Sequence, residues 1–418
     1  MLKKIIRVFI IVYLIFMLAL LLSWSVWHVK DNGKLIPEPL AKFVINFASF
    51  PSNVYHTINP TSVPYNIFDP RQITDTTSQD GIKLYTDSLN LSSTNLLIST
   101  FLSSSEIEFK LIHIPDGKLI KKWGGATIED GSFLQKENTN NRTNHPLMMI
   151  DSSIIIKNTD QKELFSLSKD KKINWVNKDL VFHHSIEQEN DSTIWIPSIV
   201  ENPSHYKISG FRHDAICAVD PRNGKVKFIK SVADILIENG YQALLDLYYE
   251  DDAIHLNDIQ PALYSSKYWQ KGDLLISMRH RNTVALYRPS TNKILWLKTG
   301  PWLAQHDCDF VDGKTIMVFG NDFLRQKDSL INGHNDIYFY DFENNKITTP
   351  YTKVMKQLEI KTKSEGRCDL LSNGDLFIDE SNNGKLYIIN KDSVKMIYTE
   401  RYDKNHIKMF NWVRPILN

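Results

Sequence analysis

Eight residues in the middle of this chain carry side chains suited to chemistry and of little use in building an apolar core: His145, His183, His184, His255, Asn257, Arg279, His306 and Asn321. They stand in NHPLMMI, VFHHSIE, HLNDIQPAL, LLISMR, QHDCDF and MVFGND, each just before or at the end of a short apolar run. Imidazole serves as nucleophile or as general acid–base near neutral pH. Arg279 calls for a bound anion with planar or tetrahedral oxygens, and Asn257 and Arg279 can donate to oxygens on which charge develops. Together these residues suit transfer of an oxyanion group, with an imidazole taking up the group. Any one of the histidines alone reads as a surface or satisfied core residue. Their shared phase relative to the apolar runs is what argues for one site.

Other chemistries fit less well. A metal site would use neutral imidazoles, usually with a carboxylate, and a cation beside Arg279 would be repelled, so neither a metal nor another cofactor is expected. GxSxG, GxxxxGK[ST] and CxxC are all absent, which removes the usual signatures of serine hydrolysis, nucleotide binding and thiol redox chemistry. The three cysteines are Cys217, Cys308 and Cys368, an odd number that leaves at least one thiol over. Cys308 lies two residues after His306 but reads as a small buried residue beside a strand.

The elements that must position these residues show a repeat. Six segments have the form strand, turn with Asp or Asn, strand: EFKLIHIPDGKLIKKW, ELFSLSKDKKINWV, ICAVDPRNGKVKFI, TVALYRPSTNKILWL, IYFYDFENNKITTPY and KLYIINKDSVKMIY. Each follows an apolar strand, in order NLLISTF, SSIIIKN, STIWIPS, DLLISMR, TIMVFGN and DLFIDES. Six copies at a period of about 50 residues predict an all-β fold, a six-bladed β-propeller. The one long step, between Asn223 and Asn292, contains VADILIENGYQALLDLYY, whose spacing predicts an inserted helix starting at Ser231. Trp123, Trp175 and Trp296 recur at similar positions and read as blade-packing residues. Without further tryptophan-docking repeats they do not support a quinone-dependent dehydrogenase propeller.

The 418 residues carry 49 basic and 48 acidic side chains, a net charge of +1, so no nucleic-acid partner is expected. Hydrophobic residues make up 42%, enough for a large core. Lys3, Lys4 and Arg7 precede an almost uncharged run from Val8 to Val26, which predicts an uncleaved transmembrane signal anchor with the remainder outside the cytoplasm. The expected organisation is therefore residues 1–28 as anchor, 29–80 as a proline-punctuated stalk and 81–418 as the propeller.

The order FHHS, HLND, SMR, a strand ending in Trp296, then QHD and FGND resembles the bacterial arylsulfotransferase family (arylsulfate sulfotransferases), most closely between about His145 and Asp322. The resemblance implies a six-bladed propeller in the periplasm. It also implies ping-pong transfer of a sulfuryl group from an aryl sulfate donor to a phenolic acceptor, without a nucleotide donor. By motif, His306 in QHD is similar to the histidine that carries the group. His255 and Asn257 in HLN, with Arg279 in SMR, are similar to the residues that hold sulfate oxygens and move protons. His184, or else His183, is similar to a further pocket histidine. His145 and Asn321 are added as substrate-binding candidates. A glycan or lipid-linked phenol as acceptor, a homodimer, and a non-catalytic propeller binding an anionic glycan or protein through the same mouth all remain compatible with the sequence.

Overall fold

The computed structural model describes residues 73–86, 94–103, 106–123, 145–157, 162–201, 211–246 and 252–417, with six positions between 10 and 18. The chain divides into two compact units, Met1–Asn66 and Ile67–Asn418. In the first, Ile10, Ile11, Tyr13, Leu14, Met17 and Leu18 are helical and exposed, and the rest of the predicted anchor and most of the stalk lie outside the described residues. Among the described residues no helix is long and apolar enough to cross a membrane.

The second unit is a ring of six antiparallel sheets, the six-bladed propeller that the repeat predicts. Blade 1 has Arg414–Leu417 innermost, then Thr94–Ser103, Glu106–His113 and Leu119–Lys122. Blade 2 runs from Leu147–Met148 through Ile154–Lys157 and Leu164–Leu167 to Ile173–Asn177. In blade 3 the inner strand is split into Val181–Phe182 and Glu187–Asn190, both paired with Thr193–Ile199, followed by Asp214–Val219 and Val226–Ser231. Blade 4 consists of Leu256–Pro261, Leu274–Met278, Thr283–Arg288 and Lys293–Thr299. Cys308–Phe310, Thr315–Gly320, Asp336–Asp341 and Lys346–Thr348 make blade 5. Blade 6 has Arg367–Leu370, Leu376–Glu380, Lys385–Ile389 and Val394–Thr399, with Gly81–Leu84 added at its outer edge.

The apolar runs in the sequence are the second strands of the blades, and their lack of alternation has a cause. A sheet inside a propeller is covered on both faces by its neighbours, so side chains pointing either way must be apolar. Ile154 and Ile156 pack toward blade 1 beside Leu97 and Phe109, whereas Ile155 packs toward blade 3 beside Ile194 and Ile196. Ile316 and Val318 face blade 4, and Met317 and Phe319 face blade 6. Each of the six junctions holds its own cluster, and the ring closes where Phe377 and Leu386 of blade 6 meet Leu96 and Ile98 of blade 1.

Closure depends on the last strand. Thr94 pairs with Leu417 and Leu97 with Arg414, so blade 1 is made from both ends of the unit. Carboxylates fasten successive blades along the axis. Asp214 accepts the amide of Leu256 at 2.7 Å, Asp258 that of Cys308 at 3.1 Å, Asp307 that of Cys368 at 2.9 Å, and Asp379 that of Val413 at 2.8 Å. Arg414 crosses from blade 1 to hold Glu187 of blade 3 with two bonds, at 2.6 and 2.8 Å.

The inserted helix is shorter than the sequence suggests. It spans Val232–Glu238, capped by the Ser231 hydroxyl, and packs Val232, Ile235 and Leu236 between blades 3 and 4. Asn239 ends it and Gly240 turns the chain at φ +82°, so YQAL that follows is only a short 3-10 turn. The three cysteines are free buried thiols.

Candidate active site

Each blade begins in the same unusual way. A residue with left-handed backbone stands just before the inner strand of five blades, Trp412, His145, His255, Ala304 and Glu365 for blades 1, 2, 4, 5 and 6, and His184 stands in the break of the blade 3 strand, with φ between 50° and 63°. None of the six is the Gly, Asn or Asp that best tolerates this region, so each costs about 1–3 kcal/mol that the surrounding packing must offset. The kink turns the side chains at these positions, and that of His306 two residues after Ala304, toward one end of the axle. Gly366 follows Glu365 at φ +101°, and a Cβ there would sit 2.6 Å from the Phe319 ring. That position accepts only glycine.

The resulting ring of side chains is contiguous. His184 meets His255 with ring centroids 4.7 Å apart, and His306 at 6.5 Å. His145 lies 6.2 Å from His184 and stacks on Trp412 at 3.7 Å. One ring nitrogen from each of His184, His255 and His306 lies within 4.8 Å of the other two. His145, His183 and His306 are almost fully buried, while His255 retains a 19% exposed side chain.

Hydrogen bonds fix the tautomers of the three central imidazoles. Asp252 accepts from His255 Nδ1 at 2.5 Å. Asn321 donates its amide to the carbonyls of Thr362 and Glu365, so its oxygen must be what faces His306 Nδ1 at 2.6 Å. His183 places Nε2 3.4 Å from both the Ser198 carbonyl and Asp214 Oδ1, which are acceptors, so its Nδ1 accepts from His184 Nδ1 at 2.8 Å. All three central rings therefore carry their proton on Nδ1, and the lone pair of each is on Nε2. In His306 that lone pair accepts the Glu365 amide at 3.0 Å.

The electrostatics favour neutral rings. Burial, reinforced by Arg279, holds His255 and His306 well below the ordinary imidazole range. For His184 burial acts with His255, and for His145 with Lys157. Arg279 begins the turn after the second strand of blade 4 and donates from Nη1 to His280 Nε2 at 2.8 Å. His280 in turn donates from Nδ1 to the Asp252 carbonyl at 2.6 Å, and burial, then Arg279, lowers it to about 4.

The remaining sequence candidate, Asn257, is fully buried and commits its amide to the Gln305 carbonyl at 2.7 Å, bracing the segment that carries His306. Sequence reasoning missed Asp252, His280, Glu365 and Trp412. Asp252, three residues before His255, and His280, next to Arg279, could have been found by proximity. Glu365 and Trp412 carry no such signal, because only closure of the ring brings them near the histidines.

Similarity to solved structures extends over most of the chain. A Bacteroides caccae protein of unknown function matches with TM-score 0.51 and 14% identity, covering 78% of this chain and 99% of that one. A nidogen/laminin complex matches at TM-score 0.44 and 7% identity, covering 76% and 98%. The propeller domain of Cps50 (Swd1) from Myceliophteria thermophila matches at 0.43 and 10%, covering 82% and 99%. At 14% identity the first of these speaks for the fold alone. No curated protein matches this sequence. The Arylsulfotransferase (ASST) family model matches residues 146–401, more than half of the chain, from the inner strand of blade 2 to the outer strand of blade 6. That span takes in every residue of the mouth except His145 and Trp412 at its two ends, and the chain belongs to the arylsulfotransferase (ASST) family.

Proposed function

We propose that the protein transfers a sulfuryl group from an aryl sulfate ester to a phenolic or other hydroxyl acceptor, through a sulfohistidine on His306 and without a nucleotide donor. The observation that carries this reading is the convergence of three Nδ1-anchored imidazoles beside one guanidinium, Arg279. Sulfuryl transfer, like phosphoryl transfer, depends mainly on in-line positioning and on stabilising the equatorial oxygens.

In the first half-reaction His306 Nε2 bonds to sulfur while the sulfur–aryl oxygen bond breaks. Asn321, fixed by two carbonyls, receives the Nδ1 proton bond that strengthens as the ring becomes cationic. Arg279 faces the sulfuryl oxygens. The Glu365 amide, released from Nε2 by the incoming sulfur, passes to one of them. His255, taking a proton from solvent onto Nε2 as the anionic ester binds and steadied by Asp252 at Nδ1, gives that proton to the departing phenolate. In the second half His255 takes the proton of the acceptor hydroxyl, whose oxygen attacks sulfur and frees His306. Asn257 and His183 act behind this shell, orienting the His306 segment and His184. The protein is proposed to work outside the cytoplasm, anchored by the run from Val8 to Val26; protease accessibility on intact cells tests that placement.

Mixing the chain with p-nitrophenyl sulfate and measuring intact mass should show one added sulfuryl group, mapped to the His306 peptide. A His306→Ala chain that still transfers sulfate removes the nucleophile assignment. A second reading has its own support: with the Glu365 amide on His306 Nε2, the mouth also suits a non-catalytic propeller binding an anionic glycan or protein. That reading expects saturable binding that depends on Arg279, with no turnover and indifference to His306.

A further inference from the structure

We propose that His184, His255 and His306 form a binding site for a divalent transition-metal ion, Zn2+ foremost, whose occupancy excludes sulfuryl transfer. The donor set is three imidazoles, which suits zinc, copper or nickel and not magnesium or calcium. One nitrogen of each ring lies within 4.8 Å of the others, and the nitrogens not already bonded to Asp252, Asn321 and His183 are the three Nε2 atoms. A carboxylate, an amide oxygen and an imidazole on the far nitrogens are the kind of outer partners that fix ligating histidines in metal proteins.

A tetrahedral ion with bonds of 2.0–2.1 Å needs its nitrogens about 3.3 Å apart, so the rings must close by an ångström or so. His306 must also exchange the Glu365 amide for the ion. The sequence argument against a cation was repulsion by Arg279. In the fold the guanidinium is directed to His280 Nε2 at 2.8 Å and the Lys363 carbonyl at 3.5 Å, and the Asp252 carboxylate stands behind His255. The repulsion that remains from Arg279 weakens the site without closing it. A second grouping, Asp252 with His255 and His280, is accounted for by hydrogen bonds within it and is not a separate site.

The inference does not rest on the transferase reading, because its readout is binding. The full chain, stripped with a chelator and dialysed, is titrated with Co2+ and followed by visible absorption, then challenged with Zn2+. One Co2+ per chain should bind with the intense bands of four- or five-coordination and be displaced by Zn2+. His184→Gln, His255→Gln and His306→Gln should each abolish the bands. Asp252→Asn should weaken binding roughly 10–100-fold, Arg279→Gln should tighten it, and His406→Gln, at a surface turn with Asp403, should change nothing. Absence of the bands, their survival in His306→Gln, or equal loss in His406→Gln overturns the proposal. Should the ligand variants fail to fold, by circular dichroism, the opposite shifts of Asp252→Asn and Arg279→Gln decide it, and shifts of like sign overturn it. Aryl sulfate turnover of the chelated chain is measured in parallel. Turnover without metal binding removes only this inference, and metal binding without turnover removes only the transferase reading.

Discussion

The mouth and the axle of this propeller are built from the first two strands of the blades yet treat their polar groups differently. Along the axle, Glu187 takes two bonds from Arg414, Arg367 grips Asp369 at 2.7 and 2.8 Å, and Asp258, Asp307 and Asp379 each accept an amide of the next blade. There, charge meets charge or a backbone donor, as burial demands. At the mouth each central imidazole has Nδ1 secured by a side chain, and the second nitrogen of His306 is held only by the Glu365 amide. The difference separates structure from chemistry: bonds between blades hold the axle together, and clustered imidazoles mark the mouth.

Paired substitutions test that division. His255→Gln should lower aryl sulfate turnover roughly 10²–10⁴-fold while leaving the urea midpoint nearly unchanged. Glu187→Gln should do the reverse, costing about 3–5 kcal/mol of stability with turnover per folded molecule preserved. A large loss of stability in the first, or of turnover in the second, would erase the distinction.

The two regions should also part with pH. Burial raises Asp379 to about 7, so the folded state holds its proton more tightly than the unfolded chain does. The stability it adds is full below the unfolded value near 3.8 and is lost as pH rises to about 7. Asp379→Asn should therefore gain on the wild type across that window, by something of the order of 4 kcal/mol. The histidines run the other way. His280, lowered to about 4, binds its proton more weakly when folded, so its contribution is full above about 6.5 and fades as pH falls toward 4. His280→Gln should gain on the wild type as the solution is acidified from pH 7 to 5, in the same urea titrations. The smallest effect belongs outside both regions. Ser231→Ala, which removes the cap of the inserted helix, should cost about 1 kcal/mol and leave turnover alone.

What could be read from sequence divides along similar lines. The outer three strands of every blade were legible, because two-sided burial writes continuous apolar runs and tight turns demand Asp or Asn, as at Asn292 with φ +53°. The inner strands were not. Leu147–Met148 is two residues long, the blade 3 strand is broken where His183 and His184 stand, and Arg414–Leu417 belongs to the blade at the other end of the repeat. The left-handed residues are Trp, His, Ala and Glu, types that give no hint of such backbone. Motif order was enough to group the histidines. Of their partners, Asp252 stands three residues from His255, but Asn321 and His183 became visible as partners only in three dimensions.

The late closing strand also sets a timetable. Trp412, on which His145 rests, and Arg414, which reaches across to Glu187, follow the strands of all the other blades in the order of synthesis. A nascent chain that has already made His306 still lacks one wall of the cavity. That wall is thus withheld until Arg414–Leu417 has been made, and a stop before Trp412 leaves the ring an open arc.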